Sequence, residues 1–202
     1  MTDFTILQGK TFTRVVRWEA LPFVYKAISA ITKAAPAVVT APLHGVPTGW
    51  RVAVVSVQGM EEINASNPPK EREFVRATAL TSDTLELNSV NSADYTAYTS
   101  GGYVQYYTPV DMAGFTARMQ IKTKVGGTVL ASTDIDDAPN NVISITIDNS
   151  GKTITVSIPA TNTAAFTWKT GVYDLEMISG AGVVTALLSG KITVTPEVTT
   201  AT

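Results

Sequence analysis

Hydrophobic and polar residues alternate most regularly in the second half of the chain. Phe115, Ala117, Met119 and Ile121 are separated by Thr116, Arg118, Gln120 and Lys122. Successive side chains of a strand leave opposite faces, so this spacing predicts a strand with the first set inward and the second in water. Gly126-Gly127 then predicts a turn. Ile143, Ile145 and Ile147 run into Asp148-Asn149-Ser150-Gly151, and Ile154, Val156 and Ile158 run out of it, the pattern of a β-hairpin with a glycine-containing loop. Tyr173, Leu175 and Met177 alternate with Asp174 and Glu176, Gly180-Ala181-Gly182 turns the chain, and residues 183–194 form a last strand. Strands at this spacing predict an antiparallel sandwich. One helical turn is expected over residues 161–166, with Thr161 as N-cap. Pro196 ends the fold, and residues 198–202 are expected to be a flexible tail.

The first half is patterned differently. Residues 4–7 and 11–19 read as short strands around Gln8-Gly9, after which prolines and glycines punctuate the text at Pro36, Pro42, Gly45, Pro47, Gly49, Gly59, Pro68 and Pro69. Short strands at 37–40, 51–57, 74–79 and 84–87 fit between these turns. Residues 27–35 have a helix-forming composition, yet the β-branched Ile28, Ile31 and Thr32 fit a strand or linker as well. The fold expected is therefore all-β: an antiparallel β-sandwich built from residues 1–27 and 103–197, with a small β-barrel inserted over residues 28–102.

Composition narrows the chemistry. The 202 residues carry 15 lysines and arginines against 17 acidic residues, a net charge of -2, and the longest charged stretch is the mixed Lys70-Glu71-Arg72-Glu73. Electrostatic capture of nucleic acid is not expected from such a balance. There is no cysteine, which excludes disulfides, thiolate metal sites and cysteine nucleophiles. No apolar run reaches the ~18 residues of a membrane helix, and Met1-Thr2-Asp3-Phe4 lacks the features of a signal peptide, so a soluble protein made in a cytoplasm, without a membrane partner, is expected.

His44 is the only histidine, and its setting in Pro42-Leu43-His44-Gly45-Val46-Pro47 is a turn, where it serves backbone groups rather than a catalytic triad. Asp134, Asp136 and Asp137, near Asn140 and Asn141, carry oxygen ligands at a spacing open to calcium, but without the glycine and terminal glutamate of a calcium loop they read better as a solvated turn. Gly101-Gly102 lacks the lysine and following helix of a phosphate cradle and reads as a strand re-entry. Tyr95, Tyr98, Tyr103, Tyr106 and Tyr107 offer aromatic faces for sugar stacking. Alternation turns some of them inward, so core or interface use is the stronger expectation, with Tyr103, Tyr106 and Tyr107 as interface candidates. Trp18, Trp50 and Trp168 are read as core or subunit-contact residues, Trp18 and Trp168 being the interface candidates among them. No cofactor and no catalytic constellation is expected.

Two segments resemble phage proteins. Asp111-Met112-Ala113-Gly114-Phe115-Thr116-Ala117-Arg118-Met119-Gln120-Ile121, the isoleucine hairpin, Gly171-Val172-Tyr173-Asp174-Leu175-Glu176 and Gly190-Lys191-Ile192-Thr193-Val194 are similar to a β-sandwich of tailed phages, the N-terminal domain of siphophage upper baseplate proteins and of tail-fibre-associated proteins. That domain opens with a strand carrying a glutamine-glycine pair, supplied here by Gln8-Gly9, and passes through a short hairpin to a proline-valine-aspartate segment, found here only at Pro109-Val110-Asp111. Between them, Ile31-Thr32-Lys33-Ala34, Pro36-Ala37-Val38-Val39-Thr40, His44-Gly45, Gly49-Trp50-Arg51-Val52, Gly59-Met60, Ile63-Asn64, Thr84-Leu85-Glu86-Leu87, Tyr98 and Ser100-Gly101-Gly102 resemble a phage module named after the first catalytic-cysteine half-domain of ubiquitin-activating enzymes. Residues 67–72 depart from that module, which runs more directly into its next strand.

The resemblance implies a structural, non-enzymatic component of a virion (tail, neck or baseplate). Its partners would be other virion proteins and further copies of itself, and it could serve as an adaptor for fibres or spikes. A carbohydrate-binding module contacting a host surface is the alternative, resting on the tyrosines; a hydrolase would need a nucleophile and base that the residues do not supply.

Overall fold

A computed structural model describes residues 1–198, so the expected tail lies, Val198 aside, outside the described residues. The strands are β1 (Phe4–Leu7), β2 (Phe12–Val16), β3 (Glu19–Ala27), β4 (Ala30–Ile31), β5 (Ala37–Thr40), β6 (Arg51–Gln58), β7 (Val75–Ala79), β8 (Thr84–Leu87), β9 (Ser100–Pro109), β10 (Thr116–Lys122), β11 (Val129–Ser132), β12 (Ser144–Asp148), β13 (Thr153–Ile158), β14 (Thr170–Ile178) and β15 (Val184–Thr195), with one short helix, α1 (Ala160–Ala164). The fold is all-β, as the alternation predicts.

Contacts divide the chain into two units, Met1–Trp18 with Asp111 onward, and Glu19–Val110. The first is a sandwich. A five-stranded sheet, β1-β15-β14-β10-β11, faces a three-stranded sheet, β12-β13-β2. Ile6, Met119, Ile121, Leu175 and Ile192 from one meet Phe12, Val156 and Ile158 from the other in a shared core. The pairing is antiparallel with one exception: β1 lies parallel to β15, Phe4 beside Ile192 through Leu7 beside Thr195. Parallel pairing needs a long crossover, and the two ends of the chain are separated by the whole fold.

One local detail differs from the sequence reading. The helix begins one residue early, and its N-cap is Pro159 rather than Thr161. The Pro159 carbonyl accepts from Asn162 and Thr163 N–H, both at 3.0 Å, and the proline φ of -59° suits a helix entry. In the β12–β13 hairpin, Asp148 Oδ1 accepts from Ser150 and Gly151 N–H at 3.0 Å. The left-handed residue there is Lys152, with φ 53°.

The second unit is one seven-stranded sheet in the order β3-β9-β6-β7-β8-β5-β4. Its inner side chains, including Ile31, Val39, Val52, Val54, Leu85, Leu87, Val104 and Tyr106, belong to a single core with Trp50 at its heart, so the sheet wraps around that core. The unit is wider than expected. Strands β3 and β9 pair from Glu19 beside Pro109 to Ala27 beside Tyr103, which moves the boundaries from 27/28 and 102/103 to 18/19 and 110/111. No ladder among the described residues joins the edge strands β3 and β4; the chain itself bridges them, with Ile28 N–H donating to Gly102 O at 3.0 Å and Ser29 N–H to Thr40 O at 2.9 Å. Residues 27–35 contain β4 and no helix, because Ile28 and Ile31 are drawn into the core. Gly102 takes φ 84°, and a Cβ there would lie 2.4 Å from Val57 Cγ2, so β9 and β6 meet at a point only glycine fits.

Candidate functional site

Strand β9 sorts its side chains by alternation. Val104 and Tyr106 enter the core, which leaves Tyr103, Gln105 and Tyr107 on the outer face of the same sheet. Across the ladder, Tyr25 and Ala53 stand on either side of Gln105, Phe23 stands beside Tyr107, and Val55 beside Tyr103. The Tyr25 and Tyr103 rings meet edge to face, 6.2 Å between centroids, and are 48 % and 46 % exposed. Tyr107 packs on Phe23 at 4.6 Å and on Phe74 at 5.4 Å.

Arg51 closes one end of this face. Its guanidinium lies 5.0 Å from the Tyr107 centroid and 5.3 Å from that of Phe74. Its Nε donates to both Glu19 carboxylate oxygens, at 2.8 and 2.7 Å, and its Nη1 donates to Glu71. Burial by itself would lower the Arg51 pKa, but the hydrogen bonds and charges of Glu19 and Glu71 outweigh it and raise the value. The cation is thus permanent and already paired twice.

Gln105 lies between these groups. It is 0 % exposed, and neither Oε1 nor Nε2 of its side chain has a hydrogen-bond partner. Leaving such a group unpaired in the interior costs about 1–3 kcal/mol.

The other residues singled out by sequence are placed apart. Tyr106 faces the opposite way from Tyr103 and Tyr107; its hydroxyl donates to His44 O at 2.5 Å, and burial raises its pKa. The three tyrosines therefore do not form one platform. Tyr95 and Tyr98 lean on the inner core, Tyr98 donating to Ile28 O at 3.0 Å. His44 is buried, with Nδ1 accepting from Val46 N–H at 2.9 Å and Nε2 2.9 Å from Thr81 O. Since Nδ1 accepts, the ring proton sits on Nε2, and both nitrogens serve the backbone.

Asp134, Asp136 and Asp137 do not converge. Asp134 caps a turn by accepting from Asp136 N–H at 3.1 Å, and Asp137 accepts from Gln120 Nε2 at 2.8 Å. Hydrogen bonds from the Ser132 side chain and then Gln120 lower the Asp137 pKa. Among the described residues no three acidic or histidine side chains gather to hold a metal. Trp18 packs edge-on to Phe115 at 5.4 Å, and Trp50 is fully buried with Nε1 donating to Tyr107 O at 3.0 Å. Trp168 lies on Phe166 at 4.8 Å.

The sandwich unit presents two further faces. The outer face of its five-stranded sheet carries a groove of about 830 Å³ lined by residues of both charges, among them Lys122, Asp174 and Lys191, with Arg118 Nε bonded to Glu176 Oε2 at 2.6 Å. The outer face of its three-stranded sheet is uncharged along most of its length. By register it is made of Thr13 and Val15 of β2, Thr155 and Ser157 of β13, and Ser144 and Thr146 of β12, and Val15 is 57 % exposed there. Neither this face nor the Gln105 and Arg51 cluster is apparent from sequence, since each is assembled from strands distant along the chain. No known protein family and no curated protein matches this chain.

Proposed function

We propose that this chain is a structural protein of a tailed-phage virion, in the tail, neck or baseplate. It acts by binding further copies of itself and neighbouring virion proteins, and adapts fibres or spikes to them. The phage resemblance of residues 111–121, of the isoleucine hairpin and of the strands that follow supports the setting.

The observation that carries the binding role is the outer face of β12-β13-β2. Serine, threonine and valine side chains are short and uncharged, so covering them removes apolar surface from water without stripping any ion of its hydration. Strands β12 and β2 each have only one neighbour among the described residues. Their free edges offer backbone N–H and C=O groups to a strand of another chain. A largely uncharged face with open edges suits a permanent symmetric contact.

Light scattering on the purified chain and on a Val15→Lys, Thr155→Lys variant tests this. The wild-type chain should be a closed oligomer, and the variant should be smaller with an unchanged circular dichroism spectrum. A variant of unchanged mass would show that this face is not the interface.

A further inference from the structure

We infer that the outer face of β3, β9 and β6 is a binding site for a neutral saccharide, with Gln105 as its polar floor and Tyr25 and Tyr103 as its stacking walls. This goes beyond the assembly role and does not rest on it, since it concerns a different surface and a different kind of ligand.

The starting point is the Gln105 amide. Its Oε1 and Nε2 are buried without partners, where an apolar side chain of similar size would avoid the loss. Buried polar groups in folded proteins are almost always paired. The strands on both sides supply none of that pairing: Gln105 stands between Tyr25 and Ala53 in the ladder, and neither bonds the amide. Its unused donors and acceptor are matched to a molecule that comes from outside.

Gln105 itself is fully buried, but the rings flanking it are not. Tyr25 stands directly across from it, Tyr103 lies two residues along the same face, and about half of each ring is in water. In this proposal the ligand reaches the amide when Tyr25 or Tyr103 rotates about its side-chain torsions. A site of this kind, aromatic walls around one oriented polar group, has the make-up of small-ligand sites in general.

The chemistry of the surroundings selects the ligand. An anion would need a free cation, and Arg51 already bonds Glu19 and Glu71. A purely apolar partner would cover the rings and leave the amide unpaired. A nucleic-acid strand would bring phosphates beside those glutamates, on a chain of net charge -2. A pyranose satisfies every group: its C–H face packs on a tyrosine ring, one ring hydroxyl donates to Gln105 Oε1, and its neighbour accepts from Nε2.

The test is titration of the full chain, followed by amide NMR, with glucose, galactose, mannose, N-acetylglucosamine and their short oligomers at about millimolar concentration, and with adenosine as the stacking control. At least one sugar should shift the amides of β3 and β9. Gln105→Leu should weaken that sugar at least about tenfold, equivalent to ~1.4 kcal/mol, while leaving the melting temperature no lower. Tyr103→Ala, a change at a half-exposed position, should weaken it as well and stands as the reading if Gln105→Leu does not fold. Failure of every sugar to bind, unchanged affinity in Tyr103→Ala or in a folded Gln105→Leu, or a preference for adenosine would overturn the inference.

Discussion

Replacing Ile121 or Leu85 by alanine should melt one unit and spare the other. Ile121 sits in the sandwich core and Leu85 in the core of Glu19–Val110, both at 0 % exposure, and no buried residue belongs to both cores. Truncating a fully buried isoleucine or leucine to alanine removes its transfer energy and leaves a cavity, at a cost of about 2–5 kcal/mol. In a unit of this size each kcal/mol lowers the midpoint by roughly 4–8 °C. A loss near 3 kcal/mol would therefore move one transition down by about 10–25 °C. Differential scanning calorimetry of the wild type and the two variants reads this directly. The expected traces show two transitions, with Ile121→Ala shifting one and Leu85→Ala the other. A single transition moved equally by both variants would refute the separation of the cores.

Gly102→Ala should destabilise the second unit by about 1–3 kcal/mol through its left-handed backbone, and by more through the collision with Val57; chemical denaturation at the level of wild type would contradict the close approach of β9 to β6. Tyr173 supplies a pH dependence. Its hydroxyl donates to Thr2 O at 2.6 Å, and burial, with the charge of Asp3, pushes its pKa from 10.0 up to about 12. Between those values the unfolded chain releases a proton that the folded chain keeps, so stability is full below pH 10 and declines as pH rises toward 12. Tyr173→Phe should show a shallower decline in urea unfolding across that window, and identical slopes would sink the assignment. At the acid end, Asp148 is held below its ordinary pKa of 3.8 by hydrogen bonds from the Ser150 side chain and Gly151 N–H. Its contribution is present above pH 3.8 and is lost as pH falls through the lowered value; Asp148→Ala should flatten that acid limb.

Much of this architecture is legible in local pattern. The strands read at residues 4–7, 37–40 and 84–87 are β1, β5 and β8, and the inward set from Phe115 to Ile121 does face the sandwich core. What escapes a linear reading is pairing between distant segments. The partnership of β3 with β9 leaves no local trace, and Pro22 inside β3 argues against a strand. Pro22 is tolerated because the register with β9 shifts between Ala20 and Phe23, so its missing N–H breaks no ladder bond. The parallel contact of β1 with β15 is invisible for the same reason.

The candidate sites follow the same division. Alternation alone separates Tyr103 and Tyr107 from Tyr106. It does not reveal that Gln105, an ordinary surface residue type, is buried between the rings, nor that Glu19 and Glu71 converge on Arg51 from two other elements. The uncharged face of β12-β13-β2 depends on the order of three strands, and that order is a tertiary fact.

The assembly role is tested most directly by immunogold electron microscopy of purified phage particles, using an antibody raised against this chain. The account predicts label at one fixed position on the tail, neck or baseplate of intact particles. Unlabelled particles, with the chain recovered only from the surrounding lysate, would contradict it.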